Sequence, residues 1–354
     1  MFETGKEVFM QEDIRHYAFA SDEKFVPQLQ VAAASLLKAC SNTSGTLHIH
    51  VLDCGIDDMS YNEAADRLRL LSNRFSVDCK IFRHNIDMSL FARFRTWNSS
   101  RAAYARLMLP LLLDGIEYCI YSDCDMLFIE DPRMLVHELK TSGAAVLGHR
   151  NPIGRDGETI DLKWFERHRE PFNRETYFCS GLIAMDLEKF RRPGALDAMF
   201  DFLARHPDAI SADQAALNWY FRNESALATD GWGLFQSECF GDKHPIRAIH
   251  YSGGSPWKKP PSWYEYIMTR KVDMLWLSFA RKILPPAIFE SLPVEGANFR
   301  SKTTGVAAML AARCLLYAGI RPAKIRHFLE DVEARVRFDR NLATAMDRLL
   351  SGLD

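Results

Sequence analysis

The stretch Tyr118-Cys119-Ile120-Tyr121-Ser122-Asp123-Cys124-Asp125 decides how this chain is read. Tyr118 to Ser122 carries no charge and has the composition of a strand buried on both faces. It ends directly on two carboxylates spaced i, i+2. In open α/β sheets, ligands bind beyond the carboxyl ends of the parallel strands. Two carboxylates at that edge can reach one hard cation. A divalent ion held there neutralises a diphosphate and polarises its leaving oxygen. Asp-x-Asp alone is a common tripeptide, so its position after a buried strand gives it meaning.

Working outward, strand and helix patterns alternate. His16 to Ala20 reads as a buried strand, and Val26 to Ala39 as a helix with apolar residues at helical spacing. Leu47 to Leu52 alternates like a strand, Tyr61 to Leu71 is an amphipathic helix, and Val77 to Phe82 is a third strand. Arg101 to Leu113 predicts a helix beginning near Ala102 and bent or divided by Pro110. Beyond Asp125, Ala144 to Gly148, Gly181 to Met185 and Ile246 to His250 read as strands, and Ala212 to Phe221 as a helix. Such alternation predicts an α/β sheet with right-handed crossovers. After Pro260-Pro261 the pattern becomes helical, over Trp263 to Lys282, Thr304 to Tyr317 and Ala323 to Leu350. The expected organisation is a catalytic domain over 1–260 and a helical C-terminal region over 261–354.

Bulk composition is that of an ordinary globular protein. The 354 residues are 47% hydrophobic and 25% charged, with formal net charge −2, which gives no bulk attraction to nucleic acid. The eight cysteines include no CxxC pair, and several sit in apolar runs, as expected of reduced, buried thiols in a cytoplasmic protein. Met1 to Met10 carries acids and does not read as a signal peptide. No run reaches the ~20 apolar residues needed to span a bilayer. The segments Arg321 to His327 and Arg335 to Arg340 make the tail locally basic. They read either as solvated helix faces or as a weak peripheral contact with an anionic membrane surface.

Further candidates lie at the same edge. His250 ends a short strand, and an imidazole beside carboxylates suits Mn²⁺ better than Mg²⁺. Gly253 and Gly254 follow, where backbone can approach a phosphate closely, and Lys258 adds a cation. Arg106 is a guanidinium able to clamp a diphosphate, or else a helix-surface arginine. Asp22 lies just past the first strand and could accept from a nucleobase or ribose, or cap a turn. Asp213 and Gln214 open the helix that starts at Ala212. There Asp213 could bind sugar hydroxyls or simply complement the helix dipole.

Together these segments resemble glycosyltransferase family 8, a GT-A fold group that contains bacterial lipopolysaccharide α-glucosyl- and α-galactosyltransferases, with glycogenin a more distant relative. The resemblance runs over roughly residues 15–260. It rests on Phe19-Ala-Ser-Asp22, Tyr104-Ala-Arg-Leu107, Tyr121-Ser-Asp-Cys-Asp125, Tyr177 to Phe190, Asp213 to Asn218 and His250-Tyr-Ser-Gly253, in that order. It implies a Rossmann-like mixed sheet flanked by helices. It implies Asp123, Asp125 and His250 as ligands to Mn²⁺ (with Mg²⁺ the alternative), and Asp22 with the Ala20 backbone as holders of uridine. It also implies Arg106, Gly253 and Lys258 as donor contacts, Asp213 on the donor sugar and Gln214 beneath its anomeric carbon. The chain departs from the family pattern at Cys179, where Asn is usual beside the donor sugar. It departs again at Pro256-Trp257-Lys258, where the family places lysine before the Pro-Trp pair.

The expected activity is retaining transfer of a hexose, glucose or galactose, from a UDP-sugar to an acceptor hydroxyl of lipopolysaccharide or another envelope glycan. Gln214 is a poor nucleophile, which favours same-face attack by the acceptor over a glycosyl-enzyme. Two other readings stand beside it: an inactive UDP-sugar-binding protein, and a self-glycosylating enzyme like glycogenin. A nucleotidyltransferase ranks below these, because no Gly-rich phosphate loop lies near the N-terminus.

Overall fold

A computed structural model describes residues 15–96, 100–151, 159–240, 244–252, 255–257, 263–292 and 340–353. Its strands are β1 (His16–Ser21), β2 (Thr46–Asp53), β3 (Asp78–Asn85), β4 (Tyr118–Ser122), β5 (Met126–Phe128), β6 (Val146–Arg150), β7 (Phe178–Asp186), β8 (Ser225–Leu227), β9 (Leu234–Phe235) and β10 (Ala248–His250). Seven of them form one mixed sheet in the order β3-β2-β1-β4-β7-β6-β8. β3, β2, β1 and β4 run parallel, while β7 lies antiparallel between β4 and β6. A small second sheet, β5-β10-β9, brings His250 opposite Met126, one residue past Asp125.

Strand alternation sorts side chains into two cores. Tyr17 and Phe19 of β1 face one, and Ala18 and Ala20 face the other. The first core is covered by the helices Val26–Ala39 and Asp58–Arg74. Val26–Ala39 starts with Pro27 in its first turn, a favourable site for a residue without an N–H. Its Ala32-Ala33-Ala34 run is fully buried, because small side chains admit neighbours on several sides. One neighbour is the helix Trp263–Ile283, whose Leu275, Trp276 and Phe279 lie in the same core. Each such large apolar side chain contributes about 1.5–3 kcal/mol on full burial. Arg340–Leu350 closes the same core with Leu342, Ala345 and Leu349. The second core is covered by Ala195–Arg205 and Ala212–Tyr220.

Sequence and structure agree on the first three strands, on β4 and on the helix after Pro261. They differ at Arg101 to Leu113. In place of a long helix the chain makes a 3₁₀ run, Ala102–Met108, and then a one-turn α-helix, Leu109–Leu112. Pro110 cannot donate a backbone hydrogen bond and sits in the first turn of the new helix, which fixes the break. The expected helix over 304–317, and residues 323–339 of the next, lie outside the described residues. Among the described residues no helix is long and apolar enough to cross a membrane.

Candidate active site

The carboxyl ends of β1 and β4, the start of β7 and the helix Ala212–Tyr220 converge on a cleft of about 290 Å³. Ala20, Asp22, Arg106, Asp123, Asp125, Cys179, Asp213, Gln214 and His250 all line it, so nine side chains or backbones singled out from sequence meet in one place. Gly253 and Lys258 lie outside the described residues.

β4 delivers Asp123 and Asp125 through a tight turn. The Asp123 N–H donates to the Gly181 carbonyl at 2.7 Å, and the Tyr251 N–H donates to the Asp125 carbonyl at 2.9 Å. These bonds tie the turn to β7 and to the residue after His250. Asp125 Oδ1 and His250 Nε2 face each other at 3.2 Å. Both atoms are buried, and neither has a hydrogen-bond partner otherwise. Asp123, Asp125 and His250 offer one ligand atom each within 4.8 Å of one another. Two carboxylates and an imidazole arranged this way fit a divalent cation. Burial opposes charge on both Asp125 and His250, but their mutual attraction outweighs it. Without a cation it draws the imidazole well above its ordinary value and the carboxyl below its own.

The His250 ring needs an empty neighbour. A Cβ on Gly181 would fall 2.3 Å from His250 Cε1, so only glycine fits there. Behind the ring lies His149, buried, its centroid 5.3 Å away, with burial pushing its pKa down to about 3. Cys179 Sγ lies 3.8 Å from His250 Nδ1, on the side of the ring away from Asp125. The thiol therefore meets the imidazole as an orienting partner.

Arg106 lines the cleft and is held there by its neighbours. It is 2% exposed, and each of its three nitrogens meets a protein acceptor. Nε meets the Ala103 carbonyl at 2.9 Å and Asp213 Oδ2 at 3.0 Å, Nη1 meets the Ser180 carbonyl, and Nη2 meets Asp123 Oδ1 at 2.8 Å. Its guanidinium also lies 4.2 Å above the Tyr121 ring, and the Tyr121 hydroxyl donates to Asp123 Oδ1 at 2.9 Å. Arg106 is an internal brace for two carboxylates. Burial raises the Asp123 carboxyl against the pull of Arg106. Burial likewise lifts Asp213 to about 6 against the same guanidinium.

Gln214 is fixed at both ends of its amide. Its Oε1 accepts from the Ser180 N–H at 3.0 Å, and its Nε2 donates to Asp161 Oδ2 at 3.2 Å. One lone pair of the carbonyl stays uncommitted. Asn218 secures the helix to β7, accepting from the Phe178 N–H at 3.0 Å and donating to the Phe178 and Gln214 carbonyls at 2.9 Å. The helix begins at Ala212, a non-glycine residue at φ +45, which is local backbone strain placed directly before Asp213 and Gln214. At the other end of the cleft Asp22 Oδ2 accepts from Ser100 Oγ at 2.8 Å, while its buried Oδ1 has no hydrogen-bond partner. The Ala20 carbonyl accepts from the Cys124 thiol at 3.2 Å.

Sequence reading passed over Asp161, Ser180 and Tyr121. Asp161 sits in the first turn of a helix capped by Thr159, where an acid needs no functional explanation. Ser180 and Tyr121 were hidden inside buried strands.

With the geometry in place, comparison with known proteins defines the class. The chain belongs to glycosyl transferase family 8, whose family model matches residues 16–260. General stress protein A of Bacillus subtilis (strain 168) is 25% identical over 232 residues, 63% of this chain and 72% of that protein. Among solved structures, the galactosyltransferase LgtC in complex with donor and acceptor sugar analogs aligns with TM-score 0.60 at 21% identity, over 76% of this chain and 96% of its own. The glycosyltransferase GlyE of Streptococcus pneumoniae TIGR4 aligns with TM-score 0.52 at 15% identity, over 78% of this chain and 62% of its own. The fold is that of the GT-A glycosyltransferases, and the chain is a glycosyltransferase, with a nucleotide-sugar donor and a glycan acceptor implied by that fold.

Proposed function

We propose that the protein is a metal-dependent, retaining hexosyltransferase using UDP-glucose or UDP-galactose, with a lipopolysaccharide or other envelope glycan as acceptor. The observation that carries this reading is the facing pair Asp125 Oδ1 and His250 Nε2, buried, 3.2 Å apart and with no other hydrogen-bond partner, beside Asp123. Asp123, Asp125 and His250 would hold Mn²⁺, with Mg²⁺ the alternative. When bound, that ion would neutralise the donor diphosphate and stabilise charge on the departing UDP.

The remaining roles fall to the chain itself. Asp22 Oδ1, buried and without a hydrogen-bond partner, would accept from the uracil or ribose, with the Ala20 backbone beside it. Arg106 holds Asp123 and Asp213 in fixed positions, and its charge offsets part of theirs. Asp213 accepts a hydroxyl of the donor sugar. Gln214, its amide locked between Ser180 and Asp161, presents the free lone pair of its carbonyl to the anomeric carbon as positive charge develops there. The acceptor hydroxyl attacks from the face the UDP leaves, and its proton passes to the β-phosphate oxygen. Gly253 and Lys258 would complete the diphosphate contacts. Catalysis would take place in the cytoplasm or at the inner membrane face, with the basic C-terminal segments meeting the membrane.

The test is UDP release from UDP-glucose, UDP-galactose, UDP-N-acetylglucosamine and UDP-galacturonate, with and without Mn²⁺. The expected result is Mn²⁺-dependent release from one of the first two that is absent in Asp125→Ala. Tight UDP binding with no turnover of any donor points to the sugar-binding protein instead. Mass increments on the protein itself point to self-glycosylation.

A further inference from the structure

Away from the cleft, the first three strands carry a second cluster that the proposed reaction does not use. His16 opens β1, directly opposite His48 of β2. His50 lies two residues further along the same face, opposite Ala18. Ala18 has almost no side chain, so the His50 ring reaches across to stack on His16, at 5.3 Å between centroids and 23° between planes. On its other side His50 stacks on Phe82 of β3 at 5.0 Å and 16°. His16 Nδ1 and His50 Nε2 stand 3.0 Å apart, and His50 Nδ1 stands 3.0 Å from His84 Nε2. His48 packs edge-on against His16, with centroids 4.8 Å apart. The three rings of His16, His48 and His50 each offer a nitrogen within 4.8 Å of the others. None of these histidines lines the cleft.

We propose that His16, His48 and His50 form a binding site for a late first-row divalent ion, Zn²⁺ foremost, distinct from the cleft at the far end of β1. Three imidazoles with no carboxylate among them are the donor set of such ions rather than of Mn²⁺ or Mg²⁺. The 3.0 Å gap between the His16 and His50 nitrogens is close to the separation of two ligands on a tetrahedral ion, at roughly 2.0–2.1 Å per Zn–N bond. His16 and His48 are only half-buried, which leaves their rings room to turn inward. His50 is held at its far nitrogen, Nδ1 standing 3.0 Å from His84 Nε2, and with its proton on Nδ1 it turns the Nε2 lone pair toward His16. A metal-bound histidine is held in place by this kind of bond from its far nitrogen. His16 ligates through Nδ1 in the tautomer that carries its proton on Nε2, and a neutral ring releases no proton on binding. Burial keeps the rings neutral, with His16 pushed down to about 4 and His50 to about 3, so both are in the ligating form at neutral pH. Lys80 and Arg15 oppose a cation near His48, and Asp78 favours one. The ion would pin β1 to β2.

The experiment is calorimetric titration of the full chain, freed of metal by chelator, with Zn²⁺ and separately with Mn²⁺. Asp125→Asn/His250→Ala disables the cleft cluster and also the His149–Cys179–His250 cluster. In that variant one equivalent of Zn²⁺ should still bind, with no Mn²⁺ binding. Adding His16→Gln/His48→Gln should abolish the equivalent, and adding His84→Gln should weaken it about 10–100-fold. Absence of Zn²⁺ binding to the first variant, or unchanged binding after the His16 and His48 substitutions, overturns the proposal. Should those substitutions unfold the chain, ¹⁵N-histidine NMR of the first variant decides. Zinc must move the ring resonances of His16, His48 and His50, and unmoved resonances overturn the site.

Discussion

Arg106 Nη2 lies 2.8 Å from Asp123 Oδ1 while Arg106 Nε lies 3.0 Å from Asp213 Oδ2, so one buried guanidinium sets the distance between the two carboxylates. Arg106→Ala leaves Asp213 buried and unpaired, which is expected to cost about 3–5 kcal/mol of stability. Arg106→Lys keeps the charge but cannot reproduce four directed contacts, so it should cost less and still lower activity more than tenfold. Urea unfolding together with steady-state UDP release measures both.

Gly181 gives His250 its place. An added methyl would meet the ring at 2.3 Å from Cε1, and the ring is backed by His149 and Phe235. Gly181→Ala should cost about 1–3 kcal/mol as overpacking and displace the imidazole from Asp125. The expected signature is a Mn²⁺ requirement shifted to at least tenfold higher concentration, read from activity against Mn²⁺. An unchanged Mn²⁺ curve would mean that His250 is not a ligand.

Asp213 supplies a pH dependence. Burial holds its carboxyl up to about 6 in spite of Arg106, so it is ionised above that pH and protonated below it. Ionised, it accepts from Arg106 and Ser180 Oγ and, in the proposed reaction, from the sugar; protonation removes its charge and turns one oxygen into a donor. kcat/KM should fall as pH drops through about 6. The acid limb should be missing from Asp213→Asn, whose activity is low throughout.

Much of this was legible in the sequence because the decisive signals are local. A charge-free run ending in Asp123 and Asp125 has one natural place in a parallel sheet, and His250 at the end of its own strand was readable in the same way. What could not be read was long-range pairing. Nothing local shows that Arg106 is buried until β7 supplies the Ser180 carbonyl and the helix Ala212–Tyr220 supplies Asp213. Asp161 looks like a helix-start acid until Gln214 is found against it. The short strands β5 and β9 have too few residues for a periodic signal, yet they help fix the position of His250. The His16–His50 stack depends on strand register, which one sequence does not reveal.

The central claim is that Asp123, Asp125 and His250 bind a divalent ion that in turn binds the donor diphosphate. Calorimetry of UDP binding, with and without Mn²⁺, tests it most directly in the wild-type chain and in Asp125→Ala. The account predicts that Mn²⁺ strengthens UDP binding at least tenfold in the wild type and not at all in Asp125→Ala. UDP binding that ignores Mn²⁺ in the wild type, or a gain that survives in Asp125→Ala, would contradict it.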